Sequence, residues 1–381
     1  MVNSTAEVKH VKKAVFIVNR PDYLLSHRLG LVLELKKSDY QVHVISVPHA
    51  SSNGLANLGV EFHPLNIERG GANPISELVS ILKCYFLVKD LSPDLLHCIT
   101  IKPVFYGAFI TRLIKIPKVI ISVAGLGSVF TTNSNKNKVL RFIIVSLLRF
   151  GFYKRNVEAI FQNNEDLTFF VSNSVIEKQR THLIRGSGVD LNLYSLAPLP
   201  QESLQTVLLP ARLIAEKGVM EFVEAAKIIL SKRDDVEFWL AGEPDFGNPT
   251  SLSHETIDHL KAISGIRFLG HRSDMNMVLK KCSLVVLPSY REGFPKALIE
   301  AAAVGRPIVT TDVPGCRDAV IPGVTGLLVP LKSVDDLVFA IEDLLNNREK
   351  AQQFGLAARK FAEQNFDVHR VTAMHRVIYG L

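Results

Sequence analysis

The sequence predicts an α/β protein built from two domains, each a parallel β-sheet covered by helices. Short apolar runs rich in β-branched residues, such as 14–18 and 284–287, are typical of buried parallel strands. Helical stretches alternate with these runs along both halves of the chain, which favours repeated β/α layers. The chain has 381 residues, which suits two domains of roughly 180 residues better than one.

The domain boundary is predicted from proline punctuation. Residues 192–205 contain two prolines close to a third at 210, and they form the best linker candidate. We therefore expect a first domain over 1–195, a linker over 196–205 and a second domain over 206–364. Residues 365–381 are expected to form a C-terminal helix that packs back on the first domain.

The first half begins with a strand, a helix and a second strand. Its predicted strands are 14–18, 42–46, 95–99, 119–123 and 159–162, and its predicted helices are 24–37, 77–89 and 103–113. The loop after the first strand lacks the G-x-G-x-x-G pattern that cradles a dinucleotide. The sequence therefore disfavours a dinucleotide-dependent oxidoreductase.

Three residues of the first half are candidates for contact with an acceptor substrate. Arg28 follows the first loop, and Gly125 and Gly127 lie in the loop at the carboxyl end of strand 119–123. Glycines allow a backbone to approach a ligand closely. The alternatives are a solvated polar helix face for the Arg28 region and a simple turn for the glycines.

The stretch 136–155, KNKVLRFIIVSLLRFGFYKR, carries six basic residues, no acidic residue and an apolar body. It is too short and too charged to cross a bilayer. One interpretation is an interfacial helix whose basic residues favour anionic lipid headgroups. The other is a core helix whose basic residues reach solvent at its ends.

The second half repeats the strand and helix alternation, with strands predicted at 206–210, 236–241, 266–269, 284–287 and 308–311. Arg212 and Lys217 follow the first of these strands. Two cations at the carboxyl end of a strand could clamp a diphosphate. Salt bridging at the surface is the alternative.

The most informative stretch is 282–307, which predicts a strand over 284–287, a loop, and a helix from Pro295 to Gly305. Glu292 lies in the loop and Glu300 in the helix. A helix N-terminus favours phosphate, whereas carboxylates accept hydrogen bonds from sugar hydroxyls. The pattern therefore predicts a site for a sugar joined to a phosphate. A pair of exposed helix acids is the alternative.

The residues EGFPKALIE resemble the E-x7-E signature of the retaining glycosyltransferases of family 4. Further stretches that resemble this family are PDLLHCITIKPVFYGA, ISVAGLGSVF, FQNNED, GSGVD, ARLIAEKG and TGLLVP. The resemblance implies the GT-B fold, in which two Rossmann-like domains face each other across a cleft. It also implies transfer of a hexose or N-acetylhexosamine from a nucleotide sugar, expected to be UDP-linked, with retention of configuration.

Details of the first half are similar to a bacterial branch of the family that adds a sugar to a polyprenyl-diphosphate-linked acceptor. These details are Ser-His-Arg, Ile-Lys-Pro and Gly-Leu-Gly. The branch includes N-acetylgalactosaminyltransferases of O-antigen, lipopolysaccharide and protein-glycan assembly. The resemblance therefore implies a lipid-linked sugar as acceptor, in the synthesis of a surface polysaccharide or glycan.

The resemblance also implies roles for individual residues. Arg212 and Lys217 would bind the donor diphosphate, Glu292 the donor sugar, and Glu300 the ribose. Backbone N–H groups of Gly293, Phe294 and Lys296 would lie near the sugar and phosphate, with Gly188 beside the donor across the cleft.

The histidine that many members carry in the first domain's glycine loop is absent here. His97 matches the first His of the common H-x-H. Both a catalytic and a buried structural role are open for it. The common G-x-G-P turn is altered to AGEP at residues 241–244.

No metal or cofactor is expected at the site. There is no Asp-x-Asp in the matching context, and the cations and the helix dipole would take the role that a metal plays elsewhere. The net charge of +7 suits phosphorylated substrates and anionic lipid. The sequence contains no zinc-finger spacing, so nucleic acid is not expected as a partner.

The expected location is the cytoplasm, peripheral on the inner face of the cell membrane. No signal peptide and no apolar run long enough to span are seen. A nucleotide-sugar epimerase of the same fold and a non-catalytic nucleotide-sugar-binding protein are the alternative functions.

Overall fold

The computed structural model describes residues 10–67, 74–126, 135–152 and 156–381. The chain forms two compact units. The first contains the described residues up to Phe161, Asp166–His182 and Thr372–Leu381, and the second contains Gln162–Glu165 and Leu183–Val371. Each unit carries a parallel sheet with helices, so the predicted α/β class is confirmed.

The sheet of the first unit has the strand order β3-β2-β1-β4-β5-β6-β7 among the described residues. The strands are β1 Lys13–Val18, β2 Gln41–Ser46, β3 Glu61–Pro64, β4 Leu95–Ile99, β5 Lys118–Val123, β6 Val157–Phe161 and β7 Thr181–Leu183. Strand β1 pairs in parallel with β2 on one side and β4 on the other. Because parallel strands end at the same edge, the loops after β1, β2 and β4 are neighbours.

The helices described up to residue 172 are α1 Pro21–His27, α2 Leu29–Lys37, α3 Ser52–Asn57, α4 Pro74–Leu91, α5 Ile101–Leu113, α6 Asn135–Phe152 and α7 Asn164–Ser172. The sequence predicted one helix over 24–37, which was wrong. Arg28 leaves the helical region with φ −134° and ψ 10°, and it separates α1 from α2.

The sheet of the second unit has the order β10-β9-β8-β11-β12-β13. Its strands are β8 Gln205–Pro210, β9 Val236–Ala241, β10 Ile266–Phe268, β11 Leu284–Leu287, β12 Ile308–Thr311 and β13 Gly326–Val329. The remaining helices are α8 Val219–Leu230, α9 His254–Lys261, α10 Met275–Lys281, α11 Lys296–Val304, α12 Val334–Asn346, α13 Arg348–Asn365 and α14 Val368–Tyr379.

The chain changes unit earlier than the predicted boundary at residue 195, since Leu183 already belongs to the second unit. Helix α14 carries the chain back, with Thr372–Leu381 in the first unit. There, Arg376 forms an ion pair with Glu34 of α2. The hydroxyl of Tyr379 lies 2.7 Å from Nδ1 of His97 on β4.

Candidate active site

The unit β11–loop–α11 forms the predicted strand, loop and helix. All four residues of β11 are buried, and α11 begins at Lys296 and ends where Gly305 takes φ 78°. Pro295 precedes the helix and offers no side-chain cap. First-turn N–H groups of a helix lack partners within it and carry a partial positive charge. This end of α11 is therefore suited to an anion.

Glu292 lies in this loop and forms an ion pair with Lys217. Its Oε1 atom accepts hydrogen bonds from Nζ of Lys217 and, at 2.8 Å, from the hydroxyl of Ser289. The side chains of Lys217 and Glu292 are only 19% and 12% exposed. The structure thus brings together one cation and one carboxylate that the sequence assigned to one ligand.

Close contact between the loops after β8 and β11 positions this pair. Strands β8 and β11 are neighbours in the sheet, and the backbone N–H of Tyr290 donates to the carbonyl of Glu216 at 2.8 Å. Gly218 has φ 69°, and a Cβ there would lie 2.2 Å from the carbonyl oxygen of Pro288. A residue with a side chain at 218 would therefore separate the two loops.

Arg212, the second predicted cation, has a different partner. Its guanidinium forms an ion pair with Asp245, which follows β9, and its side chain is 51% exposed. The structure thus pairs Arg212 and Lys217 with separate carboxylates.

Glu300 is 8% exposed and lies one helical turn beyond Lys296, whose Nζ is 3.3 Å from Oε1 of Glu300. The side chain of Tyr194 lies near Glu300. Burial first, and then the charge of Glu300 and the interaction of its carboxylate with the phenol, raise the pKa of Tyr194. Tyr194 was not singled out from the sequence, where it lies within the linker candidate.

Three residues hold the backbone of Glu292–Phe294. The buried Asn163 donates from Nδ2 to the carbonyl of Gly293 at 3.1 Å. A Cβ at Gly315 would lie 2.6 Å from the carbonyl oxygen of Glu292, and one at Gly186 would lie 2.9 Å from Cδ1 of Phe294. Asn163 and Gly186 lie within the motifs FQNNED and GSGVD, but these contacts could not be predicted from the sequence, because long-range contacts leave no local pattern.

Gly188 has a packing requirement of its own. It adopts φ 79°, and a Cβ there would lie 2.7 Å from Cα of Val368. The next residue, Val189, donates its N–H to the carbonyl of Phe366 at 2.8 Å. The glycine therefore allows the chain to pass close to the start of α14, and its predicted contact with a donor remains a prediction.

The acceptor-side candidates lie in the first unit. Arg28 is 2% exposed, which excludes the solvated helix face for this side chain. Gly125 follows β5 with φ 113°. Gly127 lies outside the described residues.

His97 is fully buried in the first unit. Its Nδ1 is 2.7 Å from the hydroxyl of Tyr379, and its Nε2 is 2.7 Å from the hydroxyl of Ser122. Burial, followed by the nearby His375 and Arg28, lowers the pKa of His97 well below its usual range. Because both ring nitrogens have partners inside the protein, the structure favours the structural alternative.

One group of possible metal ligands occurs among the described residues. His43, Glu61 and His63 on β2 and β3 place one ligand atom each within 4.8 Å of one another. Nδ1 of His43 is 3.1 Å from Nε2 of His63 and 3.4 Å from Oε2 of Glu61. The group belongs to the first unit, whereas Lys217 and Glu292 belong to the second.

Helix α6 exposes most of its apolar side chains. Phe142 is 73% exposed, and the other exposed apolar residues of α6 are Val139, Leu140, Ile143, Leu147 and Phe150. A helix inside the core would bury these residues too, whereas α6 buries Leu148 and Phe152 in the core and exposes the others. No helix in the described part of the chain is long and apolar enough to cross a membrane.

Comparisons with known proteins agree for both halves of the chain. The family model for glycosyl transferases group 1 matches residues 197–361. The model for glycosyl transferase 4-like proteins matches residues 13–164.

Curated relatives extend over most of the chain. One is the N,N'-diacetylbacillosaminyl-diphospho-undecaprenol alpha-1,3-N-acetylgalactosaminyltransferase of Campylobacter jejuni. It is 29% identical over 334 residues, which is 84% of this chain and 86% of the relative. Another is the UDP-Gal:alpha-D-GlcNAc-diphosphoundecaprenol alpha-1,3-galactosyltransferase of Escherichia coli, 26% identical over 70% of each chain.

Solved structures show the same fold. The Anabaena protein HepE, solved in complex with UDP and glucose, matches with a TM-score of 0.75 at 20% identity. The match covers 98% of this chain and 100% of that chain. The predicted GT-B class of two Rossmann-like domains is therefore confirmed.

Proposed function

We propose that the chain is a glycosyltransferase that moves a hexose or N-acetylhexosamine from a UDP-sugar to a polyprenyl-diphosphate-linked sugar with retention of configuration. The matches of its two halves to the models for glycosyl transferases group 1 and for glycosyl transferase 4-like proteins support this proposal. Two relatives whose names specify diphospho-undecaprenol acceptors support this substrate class. The product would belong to a surface polysaccharide or glycan.

The observation that carries the proposal is the contact between Lys217 and Glu292 at the N-terminus of α11. In the proposed donor complex, Lys217 and Arg212 neutralise the diphosphate, together with the first-turn N–H groups of α11. Glu292 accepts hydrogen bonds from hydroxyls of the transferred sugar. A cation that binds phosphate, next to a carboxylate that binds hydroxyls, is the arrangement expected for a sugar linked to a phosphate.

Glu300 would bind the ribose of the nucleotide. It lies one turn into α11 and is mostly buried, and carboxylates accept hydrogen bonds from a ribose diol. Tyr194 and Lys296 fix its position. The backbone N–H groups of Gly293, Phe294 and Lys296 would lie near the sugar and the phosphates.

The chemical step would be a direct exchange at the anomeric carbon. The bond from this carbon to the diphosphate oxygen breaks with its electron pair remaining on UDP, and an acceptor hydroxyl forms the new bond on the same face. The leaving phosphate takes the proton of that hydroxyl. Lys217 and Arg212 would stabilise the charge that develops on the diphosphate, which is the role of a metal ion in other transferases. The proposed reaction is therefore metal-independent.

Peripheral attachment to the inner face of the cell membrane would bring the enzyme to a lipid-linked acceptor. Exposed apolar side chains on α6, such as Phe142 and Phe150, lie on the same helix as the exposed Lys138 and Arg149. Apolar residues can enter the headgroup region while basic residues attract anionic lipid. These exposures support a membrane surface as the partner of α6.

Release of UDP from UDP-sugars, with and without a lipid-diphosphate-linked sugar, tests the proposal. We expect fast release only with the acceptor, and NMR of the product should show that the new linkage keeps the donor's anomeric configuration. Acceptor-independent interconversion of the UDP-sugar would indicate an epimerase instead. Binding with no turnover for any donor and acceptor pair would contradict transferase activity.

A further inference from the structure

The carboxyl edge of the first unit's sheet gathers buried polar atoms that have no hydrogen-bond partner among the described residues. They are Asn19 Oδ1, Arg28 Nε, Ser46 Oγ and Thr100 Oγ1. Asn19 directly follows β1, Ser46 ends β2, and Thr100 directly follows β4. Since β1 lies between β2 and β4 in a parallel sheet, these three residues share one edge. Buried polar groups normally form hydrogen bonds, so several unpaired polar atoms at one edge point to a ligand-binding site.

Arg28 adds a buried charge to this edge. It directly follows α1, the helix that starts two residues after Asn19. The side chain is 2% exposed, and no ion pair or side-chain hydrogen bond of Arg28 is found within the described part of the chain. The side chains of His97 and Tyr379 lie near Arg28, and neither is an anion at neutral pH, because burial lowers the pKa of His97 and raises the pKa of Tyr379. A buried guanidinium without an anion is strongly unfavourable.

Helix α5 gives an independent indication at the same edge. It has thirteen residues and starts at Ile101, directly after β4. Thr100 precedes it without a side-chain capping hydrogen bond. The N-terminus of a helix favours an anion. Lys102 in the first turn is already paired with Glu77 at 2.5 Å, so the charge available to a ligand is that of Arg28.

We infer that Asn19, Arg28, Ser46 and Thr100 form an edge site that binds a sugar phosphate or sugar diphosphate. Arg28 and the N-terminus of α5 take the phosphate oxygens. The amide of Asn19 and the two hydroxyls take hydroxyls of the attached sugar, because these groups both donate and accept. The inference rests on the proposed function for the ligand's identity, which is then the diphosphate-sugar head of the acceptor.

Arg28→Met separates this role from a structural one. Methionine keeps much of the side-chain length and removes the uncompensated charge. We expect the melting temperature of the protein without added ligand to stay level or to rise, while the KM for the lipid-diphosphate-sugar rises by about tenfold or more. UDP affinity should stay unchanged, because the donor residues belong to the second unit. A purely structural Arg28 would give a lower melting temperature and an unaltered acceptor KM.

Arg306→Met is the matched control. Arg306 is also fully buried, but its Nη1 donates to the carbonyl of Cys282 at 3.1 Å and its Nη2 to that of Pro198 at 2.8 Å. Its removal should lower the melting temperature, because those carbonyl groups lose their donors. Arg28→Lys keeps the charge and should retain part of the acceptor affinity.

Direct binding distinguishes the possible sources of the phosphate. With the donor site saturated by UDP, inorganic pyrophosphate and farnesyl diphosphate should each bind to the wild type and to Arg28→Lys, and weakly to Arg28→Met. A preference for farnesyl diphosphate over pyrophosphate assigns the site to the lipid acceptor, and equal binding assigns it to a free phosphate. Undiminished binding of both to Arg28→Met would overturn the edge site. This assay needs no turnover, so it stays decisive even if no sugar transfer is found.

Discussion

Lys217 and Glu292, which are 75 residues apart in sequence, form a hydrogen-bonded ion pair that joins the loop after β8 to the loop after β11. Both side chains are largely shielded from water. Removing either one would leave the other charge poorly compensated. The two charges that a sugar diphosphate would meet are therefore also charges that stabilise the site.

Replacing Lys217 with Ala tests the cation. A charged hydrogen bond contributes about 1.5–3 kcal/mol, so kcat/KM for the UDP-sugar should fall by roughly ten- to a hundredfold. Steady-state UDP release is the measurement. Lys227→Ala is the control, because Lys227 forms an exposed ion pair with Glu224 in the same unit, and it should leave the rate unchanged. Equal rates for the two variants would remove Lys217 from the donor site.

Arg212 was predicted to act with Lys217, and the sequence could not show that it pairs with Asp245. The cation types and their positions after a strand are visible in the sequence. The partner of each cation depends on how three loops meet, which local patterns do not encode. The strand and helix bounds around Glu292 were predicted well, because a short apolar run, a proline and a glycine mark them.

Tyr194→Phe tests the positioning of Glu300. The phenylalanine keeps the ring and removes the hydroxyl that interacts with the carboxylate of Glu300. A hydrogen bond to a charged group is worth about 1.5–3 kcal/mol. We therefore expect the donor KM to rise by about tenfold, while kcat at saturating donor changes less.

A UDP-sugar with 2'-deoxyribose in place of ribose tests the same contact of Glu300 from the side of the ligand. The wild type should discriminate against it, and Tyr194→Phe should discriminate less, because Glu300 is no longer held in place. Equal discrimination by the two proteins would show that Glu300 does not bind the ribose.

Metal removal tests the proposed chemistry. Activity should survive EDTA at saturating donor, because Lys217, Arg212 and α11 supply the positive charge. His63→Ala is the control for the histidine cluster on β2 and β3. This variant should also keep its activity in EDTA. Complete loss of activity with EDTA, restored by magnesium or manganese, would show that the diphosphate needs a metal.

Membrane attachment is tested with α6. Each basic residue near an anionic surface contributes about 1 kcal/mol, so Lys138→Glu with Arg149→Glu should weaken binding to phosphatidylglycerol vesicles. Phe142→Asp should weaken it further by removing an apolar contact. Control reversals at the exposed Lys281 and Lys360 of the second unit should have little effect. Co-sedimentation at several salt concentrations is the measurement, and equal binding by all variants would contradict the role of α6.

The first unit was harder to predict from sequence than the second. Helix α3 and strand β3 were missed, because SNGLAN and EFHP contain neither a clear helical period nor an apolar run. The apolar stripe of α6 was seen, but whether it faces the core or solvent depends on which helices cover it. The unpaired state of Arg28 was equally invisible, since a lack of partners is a property of the folded chain alone.

Titration calorimetry with UDP tests the central claim most directly. The wild type should bind one UDP per chain, and the double variant Lys217→Ala with Glu300→Gln should bind at least about a hundredfold more weakly, because two charged contacts worth about 1.5–3 kcal/mol each are lost. Thermal unfolding of both proteins without UDP checks that the variant is folded. Undiminished UDP binding by a folded double variant would contradict the assignment of β11–loop–α11 as the donor site.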